Sequence, residues 1–272
     1  MLTIVFCSAI GALLIVYVNF QFAWWRPTVS YEHPRILMYH MISHHKRKAK
    51  YNKLRVDPIE FERQLRWLRD NGWEFVFVSE LATGRESKQV ALTFDDGYRD
   101  NFLAADPILK KYAAKATLYL VSDRHDRDWS SSKKAHHTDG ELQAEPKLLD
   151  KDVAQMLASE RWELGGHTVT HANLLKLDSE QCHNEVQQCR NDLEEIFGVS
   201  VPSFAYPFGL FEDRHVDIVN TVGFSFAVTT VQGISRDLAE ERLQLKRVKV
   251  SGGDDLASFR LRMRTGKCRL RD

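Results

Sequence analysis

Six short runs of nearly continuous apolar residues, set apart by amphipathic segments, constrain this chain more than any other feature. They are Ile36 to Tyr39, Val90 to Phe94, Thr117 to Val121, Trp162 to Leu164, Ser203 to Tyr206 and Phe224 to Val228. A strand with one face in water alternates apolar and polar residues, whereas a strand buried on both faces reads as an unbroken run. Such strands alternating with helices predict an α/β architecture with a parallel sheet. The intervening segments carry helix punctuation. Asp57, Pro58 and Glu60 predict a cap, a first-turn proline and a capping-box acid, with Phe61, Leu65 and Leu68 on one face and Gly72 as the stop. A second helix is expected from Asp178 to Gly198, with Cys182, Val186, Cys189, Leu193 and Ile196 in one apolar stripe. Those two cysteines stand about 10.5 Å apart along a helix, too far to bond to each other. Shorter helices are expected at 100–113, 150–159, 213–222 and 254–264.

Composition narrows the function. Thirty-eight Lys plus Arg against 37 Asp plus Glu give a formal charge of +1, which supplies no global field for a nucleic acid backbone. Four cysteines in 272 residues, without zinc-finger spacing, exclude a disulfide scaffold and a structural zinc module. No charge occurs from Leu2 to Trp25, and about twenty such residues span a bilayer. Trp24, Trp25 and Arg26 then read as an interfacial belt with a charged stop. The expected organisation is a transmembrane anchor over 1–26, a linker over 27–34 and one domain over 35–272.

Two polar stretches stand out. Residues 44–55 form a basic run that reads as a solvated loop or a contact with anionic lipid headgroups. The segment Asp123 to Pro146 reads as an inserted surface loop, where His136 and His137 are expected to be solvated.

In parallel α/β folds the chemistry collects at the carboxyl ends of strands. Here those positions carry His40, Asp95 with Asp96, His167 with His171 after Gly165 and Gly166, and Pro207 to Gly209. Two adjacent carboxylates are costly to hold together unless a cation or a proton separates their roles. One Asp with the two histidines makes a carboxylate and two-imidazole metal site with open positions, and the other Asp is free to act as a base.

The strings ILMYH at 36–40, LTFDDGYRDN at 92–101, GGHTVTH at 165–171 and FAYPFG at 204–209 resemble the NodB-homology polysaccharide deacetylases, carbohydrate esterase family four. The subgroup most resembled is that of bacterial poly-N-acetylglucosamine deacetylases, whose motif order is circularly shifted. The resemblance covers most of residues 34–265. It implies a deformed (β/α) barrel of about seven strands, a divalent metal, usually Zn2+, and removal of acetyl groups from an N-acetylated glycan. Carried over by position, it implies Asp95 as catalytic base and Asp96, His167 and His171 as metal ligands. The chain departs from the pattern twice. Ala205 stands where many members have an arginine that tethers the base, and residues 243–250 lack the histidine that supplies the general acid.

The amine expelled by amide cleavage must still be protonated, and His40, directly after its strand, is the expected donor. The backbone N–H of Phe208 is expected to hold the oxyanion. Tyr39, Tyr206 and Trp129 are candidates to stack on sugar rings. Rival readings are deacetylation or deformylation of a lipid-linked sugar, a non-haem iron oxygenase and a membrane-tethered glycan-binding pseudoenzyme. The expected location is the bacterial cytoplasmic membrane with the domain facing outward.

Overall fold

A computed structural model describes residues 25–82, 84, 87–125 and 140–267. Residues 1–24 of the expected anchor, together with Trp129, His136 and His137, lie outside the described residues. No helix among the described residues is long and apolar enough to cross a membrane.

The apolar runs become a closed parallel barrel. Its strands are β1 (Arg35–Tyr39), β5 (Lys88–Asp95), β6 (Ala116–Leu120), β7 (Trp162–Gly166), β8 (Ser203–Ala205), β9 (Phe226–Gln232) and β10 (Leu245–Lys249); between β1 and β5 in the chain come the minor pair β2 (Met41–Ile42) with β3 (Arg55–Val56) and the edge strand β4 (Trp73–Val76). The order β1-β10-β9-β8-β7-β6-β5 closes because β1 also pairs with β5, from Arg35↔Val90 to Tyr39↔Phe94. Seven strands therefore make the barrel, as the resemblance implied. An eighth, β4, lies along the first half of β5 up to Val76↔Ala91, and β6 takes over that edge from Leu92↔Ala116. Most expected strands shift by a residue or two; the run at 224–228 begins as a strand only at Phe226 and continues to Gln232.

Helices α1 (Pro58–Asp70), α2 (Asp106–Tyr112), α3 (Asp150–Ala158), α4 (Ser179–Phe197), α5 (Asp213–Val222) and α6 (Leu256–Thr265) accompany the strands. The Asp57 carboxylate caps α1 by accepting from the Ile59 N–H, while Glu60 engages Arg63. Cys182 and Cys189 are free thiols buried on α4.

Successive strand residues point to opposite faces, and this gives two cores. Leu37, Leu92, Phe94, Leu118, Leu164 and Phe204 belong to the larger cluster with the helix residues Phe61, Leu65, Val186 and Leu193. Their neighbours Ile36, Ala91, Tyr119, Ala205, Val228 and Leu245, one from each of six barrel strands, form the second cluster and fill the barrel. The seventh strand, β7, contributes room: a Cβ on Gly165 would stand 2.5 Å from the Tyr119 ring. Removing one such filler, as in Leu245→Ala, typically costs about 2–5 kcal/mol.

The amino end of the barrel is sealed by Arg35. Its buried guanidinium donates to the carbonyls of Val29 (2.7 Å), Ser30 (2.7 Å), Met263 (2.9 Å) and His33, fastening the irregular segment 25–34 to the barrel.

Candidate active site

The carboxyl end of the barrel gathers the residues expected at strand ends. Asp95 is the last residue of β5, on the inward face shared with Ala91 and Thr93. In an extended strand the next residue would point away, yet Asp96 adopts φ 78° and both carboxylates line one cavity. Gly97 follows at φ 69°, with Leu120 so close that a Cβ would lie 2.3 Å from its Cδ1. The two histidines converge by a similar device, because residues 167–171 form a loop after β7 in which Thr168 (φ 64°) and His171 (φ 55°) take left-handed backbone. Glu185 on α4 holds that loop, accepting from the Thr170 N–H (3.0 Å) and hydroxyl (2.9 Å). Strained non-glycine backbone of this kind clusters at functional sites, held by the surrounding structure.

Asp96 Oδ1 lies 3.4 Å from His167 Nε2 and 3.5 Å from His171 Nε2. These ligand-type atoms fall within 4.8 Å of one another, and all three residues are buried. His167 Nδ1 is 2.7 Å from the Ala205 carbonyl, which can only accept, so Nδ1 carries a proton and Nε2 is the ring atom turned to Asp96. Burial alone would raise the Asp96 pKa, but the His167 hydrogen bond and the nearby His171 and His40 hold it well below the usual carboxylate range. A carboxylate and two oriented imidazoles beside an open cavity fit a divalent cation of the zinc type.

Asp95 has a different partner. Arg247, fully buried on β10, reaches it with two parallel hydrogen bonds of 2.7 Å each. The guanidinium is itself fixed by the Thr229 carbonyl (2.8 Å) and the Thr93 hydroxyl (3.0 Å). Burial opposes ionisation of Asp95, and the Arg247 charge and hydrogen bonds overcome it, keeping the pKa below its ordinary value. The arginine missing at Ala205 is thus supplied two strands away, from the segment 243–250 that sequence reading noted only for its lack of histidine.

Both sets of groups open into a cavity of about 340 Å³. His40 is half-buried on its wall, and the buried Asn101 amide donates to the His40 carbonyl (2.9 Å) and fixes its backbone. Phe208 lines the same space at φ 59°, with its ring edge-on to His171 at 4.4 Å. Tyr206 contributes to the wall, although its hydroxyl donates to the Leu243 carbonyl (3.1 Å) and its ring stacks on Phe211.

Tyr39 must be reassigned: it points outward into the helix-facing core, donates to Gln64 (2.8 Å) and stacks on Phe94. As the last residue of β1 it shares the outward face of Leu37, so it cannot reach a sugar at the mouth. The basic run is an exposed loop over 44–48, and its second half also reaches the site. Pairing of β2 with β3 folds residues 43–54 back over the mouth, and Lys50, Tyr51, Lys53 and Leu54 become cavity wall. The far end of the polar insertion does likewise. Its strap 146–148 runs along 97–99, through Leu148 N–H to the Gly97 carbonyl (2.8 Å), and places Lys147 and Tyr98 in the wall.

A parallel barrel that presents an arginine-held carboxylate and an Asp/His/His cluster at its strand ends defines a hydrolase of the α/β-barrel class. Residues 82–227 match the family model for polysaccharide deacetylase. YxkH of Bacillus subtilis (strain 168) is 32% identical over 231 residues, covering 82% of this chain and 74% of its own. The solved structure of BC0361, a polysaccharide deacetylase from Bacillus cereus, aligns with a TM-score of 0.72 at 27% identity, covering 85% of this chain and 69% of that one. The poly-beta-1,6-N-acetyl-D-glucosamine N-deacetylase of Staphylococcus aureus (strain MRSA252) is 23% identical over 184 residues, or 63% of this chain and 59% of the relative. The chain belongs to the polysaccharide deacetylase family, enzymes that hydrolyse carbon–nitrogen bonds other than peptide bonds.

Proposed function

We propose that this chain removes acetyl groups from N-acetylhexosamine residues of a polysaccharide in a reaction dependent on a divalent metal, with Zn2+ the best fit to the donor set. The observation that carries this reading is the pairing within one cavity of a carboxylate held ionised by Arg247 with a second carboxylate facing two imidazoles. Asp96, His167 and His171 would hold the ion, which supplies Lewis acidity to the acetyl carbonyl and the attacking water. Asp95 takes the proton from that water. The Phe208 N–H donates to the carbonyl oxygen as negative charge builds on it. His40 protonates the sugar nitrogen as the C–N bond breaks, so acetate and a free amino sugar leave. Arg247 removes the main argument for a pseudoenzyme, since the base has its tether after all.

Acetate release from poly-N-acetylglucosamine and from chitooligosaccharides, with chelator and after metal is restored, tests this. Release that stops with chelator and returns with zinc is expected; release indifferent to chelator would remove the metal from the reading. We also propose a membrane-tethered domain facing outward. Its support is the uncharged stretch Leu2 to Trp25 and the extracellular setting of polymeric glycans. Protease treatment of intact spheroplasts should digest the domain, and full protection would place it in the cytoplasm.

A further inference from the structure

Tyr98 is 1% exposed, and it lies in the cavity wall two residues beyond Asp96. Two features fix it there. Its backbone is clasped from both sides by the strap 146–148: the Arg99 N–H donates to the Pro146 carbonyl (2.8 Å), and the Leu148 N–H donates to the Gly97 carbonyl (2.8 Å). Its ring has the Lys147 ammonium 4.2 Å from the centre, and that ammonium donates in turn to the carbonyls of Leu142 (2.8 Å) and Glu145 (3.1 Å). The strap has an anchor of its own, because the buried Arg124 guanidinium donates to the Leu148 carbonyl (2.7 Å). A phenol confined in this way points where the fold sends it, and its hydroxyl is hydrogen-bonded to the Asp96 carboxylate.

Asp96 presents Oδ1 to both imidazoles, at 3.4 and 3.5 Å, and an ionised carboxylate has further lone pairs that a phenol O–H can occupy. An ion taken up by Asp96, His167 and His171 draws on the atoms that now face one another, so those contacts cannot also keep the carboxylate turned. A hydrogen bond from outside the ligand set can. His167 already has such an outer partner in the Ala205 carbonyl, which fixes its ring through Nδ1. We infer that Tyr98 is the corresponding positioning residue for Asp96: its hydroxyl holds the carboxylate toward His167 and His171, and the strap 146–148 holds Tyr98. The inference rests on the metal-dependent reading and gives the far end of the polar insertion a part in metal retention.

The test measures the zinc affinity of the full chain by competition with a chromogenic chelator, with no substrate present. Tyr98→Phe keeps the ring and removes only the hydroxyl. Its zinc Kd should rise about 10–100-fold, the usual weight of an outer partner of a metal ligand. Tyr39→Phe is the control, because it deletes another buried phenol O–H, the one given to Gln64 (2.8 Å), in the outward core away from the cavity. That variant should lose a comparable amount of stability to unfolding and bind zinc as the wild type does. Acetate release by Tyr98→Phe should fall when zinc is limiting and recover in excess zinc, a loss that metal repairs. An unchanged zinc Kd in Tyr98→Phe overturns the inference and leaves the metal and deacetylase readings standing. Equal weakening in Tyr98→Phe and Tyr39→Phe also overturns it, since the effect would then follow from general destabilisation. A wild-type chain that binds no zinc or other divalent metal overturns the metal reading and this inference together.

Discussion

Arg35 and Arg247 sit at opposite ends of the same barrel, both fully buried, and only one of them meets a carboxylate. Arg35 spends its donors on four backbone carbonyls, and burial pulls its pKa down to about 10, which leaves it charged at neutral pH. It lies against Tyr31 and Trp73 and works as a fastener. Arg247 faces Asp95 across two 2.7 Å bonds, so its charge is used to set the ionisation of another group. Burial of an arginine is thus no mark of function by itself. Its partner decides: neutral oxygens make a joint, and a carboxylate aimed at a cavity makes a tuned base.

The largest contrast between the two ends should come from the Asp/His/His cluster. Asp96→Ala, His167→Ala or His171→Ala removes one of three protein ligands, so metal content after dialysis and acetate release should both fall to background, with the fold retained by circular dichroism. Asp95→Asn should separate those readouts: metal is kept while turnover drops about 10³-fold, because only the base is lost. Normal turnover in metal-saturated Asp95→Asn would end the assignment. His40→Gln should keep fold and metal content while slowing turnover about 100-fold, the usual weight of a lost general acid.

The smallest effect on turnover, and the sharpest test of the comparison, is Arg247→Met beside Arg35→Met. In wild type the folded Asp95 pKa lies below the unfolded value of about 3.9, so the pair contributes stability above that pH and loses it as pH falls through the folded value. Without Arg247, burial still pushes Asp95 upward with less to oppose it. The acid limb of kcat/KM should therefore move to higher pH, with about a tenfold loss at neutral pH and partial recovery in Arg247→Lys. Arg35→Met should lower the unfolding free energy by about 1–3 kcal/mol, through carbonyls left without a donor, and leave the pH profile of kcat where it was. An acid limb that shifts equally in both variants would erase the distinction.

Much of this molecule could be read before folding it, and the parts that could not share a cause. The continuous apolar runs mark strands buried on both faces, and the residues after them reach the mouth, as Asp95, Asp96, His167 and His171 do. β10 escaped because Lys246, Arg247 and Lys249 interrupt its apolar pattern, and Arg247 becomes tolerable inside a barrel only through a carboxylate 152 residues away. β4 escaped because an edge strand half in water carries a short, mixed pattern. The spacing of His167 and His171 announced a pair, but the left-handed backbone at Thr168 and His171 that turns both inward has no signature in residues so rarely found there. Tyr39 and Asp95 both end strands, and only the side of the pleat separates core packing from chemistry. The cavity wall above the strand ends depended on two polar segments that meet from some 90 residues apart in sequence, as Lys50 and Glu141 do.

The Arg35 fastening has a bearing on geography. Segment 25–34 is held to the amino end of the barrel, whereas the cavity opens at the carboxyl end, a five-residue strand away, or about 16 Å. Segment 25–34 therefore meets the barrel on the face opposite its reactive rim, so the chain entering the domain and a substrate entering the cavity do not compete for the same end.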